Sequence, residues 1–252
     1  MTFVPVVRSF IAVNLSVATL RSVADAQQRL RQAIGGALKV AWVPSSNMHV
    51  TLKFLGNVDA SLPEVITDTL AKRLRERPPF EVEAVGMGAF PDSRRPRVLW
   101  VGLREPQGAL TALWNDIETW MEELGLEREP RPFSPHLTLG RVKEGHHSVA
   151  DILAQFQDTV FGTSRIAEVV VYESRLNPKG AEYRALGRAP LGGSVAKAAL
   201  SPSLDVGASP RSDVGLSPQP DVGASPQPDA GTNPQSEEKG EETTPPSTEQ
   251  EP

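Results

Sequence analysis

The sequence predicts an α+β fold with two pseudo-symmetric lobes of mainly antiparallel sheet, flanking helices and a central cleft. Short strand-like runs alternate with amphipathic helical runs, and hairpin-like connections are too frequent for a doubly wound parallel sheet. The tetrapeptide His49-Val50-Thr51-Leu52 returns as His136-Leu137-Thr138-Leu139, so each half of the predicted domain carries one copy. The composition changes near residue 192, which separates a C-terminal tail from the domain.

The first half of the predicted domain contains two helices. A serine N-cap and apolar residues at helical spacing predict a helix from Ser16 to the glycine pair Gly35-Gly36. The strand that carries His49 is expected to end at Gly56. The other predicted elements of this half are strands at 9–14, 40–43 and 48–55 and a helix at 63–77.

The second half is predicted to contain one long helix, from about Ala109 to Leu124. Its apolar residues fall on one stripe, which is typical of a helix that packs on a core. The other predicted elements are strands at 80–85, 98–101, 135–139, 166–173 and 183–186, a loop with Gly86 and Gly88, and a short helix at 150–157.

The repeated tetrapeptide is the candidate active site. In a strand, residues i and i+2 point to the same face, so His49 shares a face with Thr51, and His136 shares one with Thr138. The aliphatic residues between them point to the core. An imidazole can accept or donate a proton near neutral pH, and hydroxyls can hydrogen-bond phosphate oxygens. The pattern therefore predicts in-line displacement at a phosphodiester without a metal. Lys53 lies two residues beyond Thr51, so a regular strand would place its side chain on the same face as His49 and Thr51.

Residues 192–252 are predicted to form a disordered tail, and residues 1–191 the folded domain. Four octads of the form Ser-Pro-x-x-Asp-(Val/Ala)-Gly-x occupy 201–232, and an acidic run follows at 237–252. Such proline- and glycine-rich repeats bury too little apolar area to order the chain. Residues 196–252 contain three basic and ten acidic residues, net −7, which leaves 23 basic and 21 acidic residues elsewhere, net +2.

A slightly basic domain is compatible with a nucleic-acid partner, and the densest cluster is Arg94-Arg95-Pro96-Arg97. The alternative is that this cluster is a solvated turn. His146 and His147 are expected to be exposed loop residues. The absence of cysteine excludes disulfides, thiolate nucleophiles and cysteine-bound zinc, and fits a reducing cytoplasm.

The apolar run from Phe10 to Leu20 is too short for a membrane span and lacks a convincing signal-peptide cleavage site. We expect a cytoplasmic monomer without membrane contact, cofactor or metal. The tail is expected to aid solubility; the alternatives are that it recruits an unknown partner or screens the cleft.

The two motifs resemble those of the 2H phosphoesterases, which are named for paired His-x-Thr-x sequences. The resemblance is closest to the RNA 2′,3′-cyclic phosphodiesterase branch, historically called 2′-5′ RNA ligase. It extends from about Arg8 to Leu186, and the tail has no counterpart. Besides the motifs, the matching stretches are Arg8–Ala12, Trp42–Pro44, Lys53–Gly56, Arg95–Trp100, Phe133–His136 and Glu173–Tyr183.

The resemblance implies a bilobal fold and metal-independent hydrolysis of an RNA 2′,3′-cyclic phosphate to the 2′-phosphomonoester. His49 would be the general acid that protonates the departing 3′ oxygen, and His136 the general base that activates water. Thr51 and Thr138 would hold the phosphate. The alternatives are 2′-5′ RNA ligation at the same site, an RNA-end binding module that has lost catalysis, and a metal-dependent hydrolase.

The resemblance also assigns phosphate binding to Arg141, whose planar guanidinium suits that anion. Strand parity alone would turn Arg141 away from the cleft, so its role depends on the strand ending at Gly140. Phe54 and Tyr183 could stack on a base, but core packing is the expected place of each.

Overall fold

The structure is a computed structural model that describes residues 5–177 and 180–192. All of them belong to one compact unit. Its strands are β1 (Val6–Val13), β2 (Lys39–Trp42), β3 (Val50–Asp59), β4 (Phe80–Phe90), β5 (Val98–Arg104), β6 (His136–Glu144), β7 (Val160–Ile166), β8 (Glu168–Asn177) and β9 (Gly180–Pro190). Its helices are α1 (Val17–Ile34), α2 (Leu62–Arg73), α3 (Ala109–Glu123) and α4 (Ala150–Ala154), with a 3-10 turn at Ser45–Asn47.

One antiparallel sheet joins these strands in the order β7-β4-β5-β6-β3-β1-β8-β9, and β2 also pairs with β6. The sheet divides into a first lobe (β3, β1, β8 and β9) and a second lobe (β6, β5, β4 and β7). The lobes meet where β3 lies beside β6, and there Val50 pairs with Leu137. Counted outward from this junction, the strands of the two lobes correspond in pairs: β3 with β6, β1 with β5, β8 with β4, and β9 with β7. The predicted bilobal α+β fold is therefore confirmed.

The core lies between one face of the sheet and the helices. The two lobes share it, because α1 follows β1 of the first lobe but packs against β7 of the second. Helix α2 packs against β8 and β9, and α3 packs against β3. The buried side chains that meet here include Val23, Leu30, Ile66, Leu70, Leu113, Ile117, Val50, Leu52, Leu137 and Leu139.

The predicted ends of α1 are confirmed. The Ser16 hydroxyl accepts a hydrogen bond from the Thr19 backbone N–H at 3.1 Å, which satisfies one of the free donors at the helix start. At the other end Gly35 has φ of 55°, a left-handed value that glycine adopts without strain. The apolar stripe of α3 is also confirmed, because Leu110, Leu113, Ile117 and Met121 are fully buried.

Several strand predictions were wrong in extent. Gly56, with φ of 72°, lies inside β3, and Gly86, with φ of 68°, lies inside β4. Strand pairing does not end at either glycine. The pairing register shifts by one residue at these points, and the sheet continues beyond them. The sequence reasoning missed β7 entirely; its central residues Gly162 to Arg165 carry little apolar signal. His146 and His147 are exposed loop residues, as predicted.

The predicted tail lies almost wholly outside the described residues, so its disorder stays a prediction. The last described residues still belong to the fold. The Leu191 N–H donates to the Ala167 carbonyl at 2.8 Å, and the Gly192 N–H donates to the Leu74 carbonyl at 3.2 Å. Among residues 5–177 and 180–192, no helix has the length and apolar character that crossing a membrane requires.

Candidate active site

The two His-Thr motifs lie side by side at the junction of the lobes. His49 directly precedes β3 and His136 begins β6, and the Val50–Leu137 pair brings the two strands together. The predicted alternation is confirmed in both motifs. The aliphatic residues Val50, Leu52, Leu137 and Leu139 are buried, and the polar residues His49, Thr51, His136 and Thr138 are partly exposed.

Each imidazole is held by the backbone two residues before it. The Nδ1–H of His49 donates to the Asn47 carbonyl at 2.8 Å, and the Nδ1–H of His136 donates to the Ser134 carbonyl at 2.7 Å. A carbonyl oxygen can only accept, so Nδ1 carries a proton in both rings. Nε2 is therefore the nitrogen that can exchange a proton with a ligand.

Aromatic rings contact both imidazoles, several at His49 and one at His136. Phe10 stacks on His49 with ring centroids 4.6 Å apart, and Tyr183 meets the same imidazole edge-on at 5.1 Å. Phe90 meets His136 edge-on at 5.0 Å. The rings fix the imidazole planes, and they remove water from the neighbourhood of a charged imidazole.

Both histidines have a lowered pKa. Burial is the largest cause for His49 and lowers its pKa from 6.5 to about 4, against the hydrogen bond to Asn47, which raises it. Burial also lowers the pKa of His136, again opposed by its backbone hydrogen bond. The positive charge of Arg141 lowers the pKa of both histidines. At pH 7 both imidazoles of the free protein are therefore neutral, and Arg141 lies close enough to act on both.

A β-bulge, and not the end of a strand, turns Arg141 to the side of the histidines. The strand was expected to end at Gly140, but β6 continues to Glu144. Thr138 pairs with Trp100 and Gly140 pairs with Leu99, so Leu139 is the extra residue of a bulge. An extra residue reverses the alternation of buried and exposed side chains beyond it. Leu139 and Gly140 are accordingly both buried, and the next residue, Arg141, is exposed.

The first lobe contains a matching bulge. Thr51 pairs with Ala12 and Lys53 pairs with Ile11, so Leu52 is the extra residue. The parity prediction for Lys53 was therefore wrong, since this residue is buried, with 5% exposure. The expected core packing of Phe54 was also wrong, because Phe54 is 62% exposed.

Phe54 and Arg141 occupy corresponding places in the two lobes. Each follows its histidine by five positions and comes after the bulge that reverses the alternation. This equal spacing from the two histidines was the sequence signal that could have placed Phe54 on the same face as His49. Sequence reasoning also missed Phe10 and Phe90 as neighbours of the histidines. Tyr183 packs in part as expected, since it is half-buried against His49.

Lys53 connects β3 to the segment after α3. Its ammonium donates to the Glu118 carboxylate and to the Glu127 carbonyl, both at 2.7 Å. The same carboxylate oxygen of Glu118 accepts the Glu129 N–H at 2.9 Å. Lys53 and Glu118 are both buried, so this ion pair is structural and lies outside the cleft.

The arginine cluster at residues 94–97 lies in the exposed connection between β4 and β5. In the part of the chain that the structure describes, no three or more histidine or acidic side chains are grouped as metal ligands would be.

The sequence matches the model of the 2′-5′ RNA ligase superfamily over residues 20–177. Among curated proteins it is similar to an RNA 2′,3′-cyclic phosphodiesterase of Archaeoglobus fulgidus, at 34% identity over 179 residues, covering 71% of this chain and 97% of the relative. A protein with the same name from Methanothermobacter thermautotrophicus is 33% identical over 179 residues, covering 70% of this chain and 95% of the relative.

Solved structures show the same fold. A crystal structure of a Thermus thermophilus protein matches with a TM-score of 0.62 and 27% identity, covering 74% of this chain and 98% of the other. The structure of E. coli LigT in complex with 3′-AMP matches in fold with a TM-score of 0.60 and 24% identity, covering 74% and 99% of the two chains.

A bilobal antiparallel sheet with paired His-x-Thr-x motifs at the junction of its lobes is the architecture of the two-histidine phosphoesterases. The chain belongs to the 2′-5′ RNA ligase superfamily.

Proposed function

We propose that the protein hydrolyses the 2′,3′-cyclic phosphodiester at the end of an RNA to a 2′-phosphomonoester, without a metal ion. The names of its curated relatives support cyclic phosphodiester hydrolysis. The observation that carries the proposal is the pair of imidazoles at the lobe junction, both with Nδ1 held by a backbone carbonyl and Nε2 left for proton exchange.

In the proposed reaction, His136 is the general base and removes a proton from water. The water oxygen attacks phosphorus opposite the 3′ oxygen. As the new P–O bond forms, the bond from phosphorus to the 3′ oxygen breaks, and His49 donates a proton to that oxygen. The products are a 2′-phosphate and a 3′-hydroxyl. Thr51, Thr138 and Arg141 hold the non-bridging oxygens, where negative charge develops.

The proposed reaction requires one protonated imidazole, whereas the free site holds two neutral ones at pH 7. Binding of the phosphate allows one imidazole to become protonated, because a neighbouring anion favours the charged form of an imidazole and raises its pKa. It also offsets the charge of Arg141, which lowers the pKa of both histidines. His49 thus takes up its proton when the substrate binds.

The proposal is tested by incubating the protein, in EDTA, with a short RNA that ends in a 2′,3′-cyclic phosphate. The product is compared by chromatography with 2′- and 3′-phosphate standards. We expect the 2′-phosphate, and we expect His49→Ala and His136→Ala each to reduce the rate by about 10²–10⁴.

Full activity in either variant would contradict the two-histidine mechanism. A 3′-phosphate product would contradict the assigned polarity, and loss of activity in EDTA would indicate a metal-dependent hydrolase. Unchanged substrate with tight RNA binding would indicate a binding module.

A further inference from the structure

Four of the exposed arginines on the second lobe belong to the connection between β4 and β5 and to β6. Arg94, Arg95 and Arg97 belong to the loop between β4 and β5, residues 91–97, which we call the arginine loop; Arg141 follows the bulge in β6. None of the four takes part in the nine ion pairs found within residues 5–177 and 180–192. Their charges are therefore available to an external anion.

The arginine loop is fixed at both ends by backbone hydrogen bonds. The Arg97 N–H donates to the Phe90 carbonyl at 2.7 Å and closes the loop. The Val142 N–H donates to the Arg97 carbonyl at 2.9 Å, and the Val149 N–H donates to the Ser93 carbonyl at 2.8 Å. These bonds attach the loop to β6 and to the start of α4, so its position relative to the site is defined.

The acidic residue of the loop does not neutralise the arginines through ion pairs. One carboxylate oxygen of Asp92 accepts the backbone N–H groups of Arg94 and Arg95, at 2.8 and 3.0 Å. These bonds lower the pKa of Asp92 and shape the turn. Three arginines against Asp92 give residues 91–97 a net charge of +2.

The loop begins beside the catalytic groups. Phe90, the residue before it, contacts the His136 ring at 5.0 Å. Phe90 pairs with Val98, and Val98 pairs with Arg141, so the base of the loop and Arg141 lie at the same level of the sheet. The arginine loop therefore extends the positive charge of Arg141 outward from the site.

We infer that the arginine loop binds the phosphodiester backbone of the RNA chain that leads into the active site, an inference that rests on the proposed function. A cyclic mononucleotide carries one phosphate, which the histidines, the threonines and Arg141 already surround. The three guanidinium groups of the arginine loop lie beyond that set of residues, where they can contact the further phosphates of a longer ligand. The first lobe has Phe54 where the second has Arg141. At this matched position the positive charge lies on the second lobe, beside the arginine loop, and the RNA chain is placed over that side.

The test compares two substrates in the full-length protein, a nucleoside 2′,3′-cyclic phosphate and a short RNA with the same 3′ nucleotide. For Arg94→Ser/Arg95→Ser we expect KM for the RNA to rise on the order of tenfold, with kcat unchanged. KM and kcat for the mononucleotide stay at the wild-type values. The slope of log KM for the RNA against log salt falls by about 1.4, because each phosphate contact of a single strand contributes about 0.7.

Arg21→Ser/Arg31→Ser is the matched control. It removes two exposed arginines from α1 on the helical side of the sheet, and KM for the RNA should stay unchanged. The inference would be overturned if the double variant lost activity equally on both substrates, or if the control variant raised KM for the RNA as much. An unchanged or lower KM for the RNA in the double variant would also overturn it.

Failure of the proposed function is a separate result. If the wild-type protein does not hydrolyse the cyclic mononucleotide, the proposed function fails. The arginine loop is then tested by fluorescence anisotropy of the labelled RNA, where the double variant must bind more weakly than the control. Equal affinity of the two variants would overturn the inference.

Discussion

At the residue scale, the two histidines share one backbone arrangement but differ in their surroundings. His49 is packed by Phe10 and Tyr183, whereas one phenylalanine, Phe90, meets His136. Burial opposes the charged imidazole in both cases, and it lowers the pKa of His49 to about 4. The proposed general acid is thus the imidazole that needs the phosphate most in order to hold a proton.

The pH dependence of hydrolysis follows from these pKa directions. The productive form has one charged and one neutral imidazole, and in the free protein both pKa values lie below 6.5. The kcat/KM profile, which reports the free protein, should therefore reach its maximum below pH 6.5 and fall as pH rises above it. The kcat profile should lie at higher pH, because bound phosphate raises both pKa values.

The measurements are rate profiles and an NMR titration of the two imidazoles with and without inorganic phosphate. Coincident kcat and kcat/KM profiles, or imidazole pKa values that phosphate leaves unchanged, would contradict this account.

At the scale of single elements, the bulges in β3 and β6 determine which residues reach the cleft. Regular strands would place Lys53 in the cleft and turn Phe54 and Arg141 away from it. The extra residues Leu52 and Leu139 reverse this order. In β3, the reversal buries Lys53, and the Glu118 carboxylate compensates its charge.

The buried ion pair gives a stability prediction. Lys53→Met leaves the Glu118 carboxylate buried without its cation, which should lower the free energy of unfolding by about 3–5 kcal/mol. Lys53→Met/Glu118→Leu should recover most of this loss, because neither charge remains. Urea denaturation measures both effects.

The control for this prediction is Arg73→Met, which breaks the exposed Arg73–Glu123 pair and should change stability by about 0–1 kcal/mol. A loss in Lys53→Met no larger than in the control would show that the buried pair does not stabilise the fold.

At the scale of the whole molecule, the candidate active site is formed where the two lobes meet along β3 and β6. The first lobe is built from both ends of the domain, since β8 and β9 complete the sheet beside β1. Tyr183 of β9 reaches His49, so the site needs the chain as far as β9. The last described hydrogen bond of the backbone, from Gly192 to Leu74, joins the end of the domain to the residue that follows α2.

We predict that removal of residues 193–252 leaves turnover of a cyclic mononucleotide unchanged. The proposed catalytic residues and the backbone bonds that close the fold all precede the cut. Steady-state kinetics and thermal unfolding of the shortened protein provide the check. A chain cut after residue 186 is the contrast, because it loses the pairing of Ala189 with Val169 and should unfold at a lower temperature. A large loss of turnover in the first truncation would overturn the boundary predicted at residue 192.

The sequence alone determined the fold class, the paired motifs and the face that each His-Thr pair occupies, because alternation along a strand and capping at helix ends are local properties. It also indicated the ends of α1 and the buried stripe of α3. These features need no knowledge of which strands pair.

Only the tertiary structure decided the places of Arg141, Phe54 and Lys53, and the extent of β3 and β4. A bulge is defined by the partner strand, since a residue is extra only relative to the strand beside it. The low pKa of His49 also depends on residues distant in the sequence. Phe10 and Tyr183 reach it when β1, β3 and β9 of the first lobe assemble, and Arg141 acts on it when the two lobes meet at the junction.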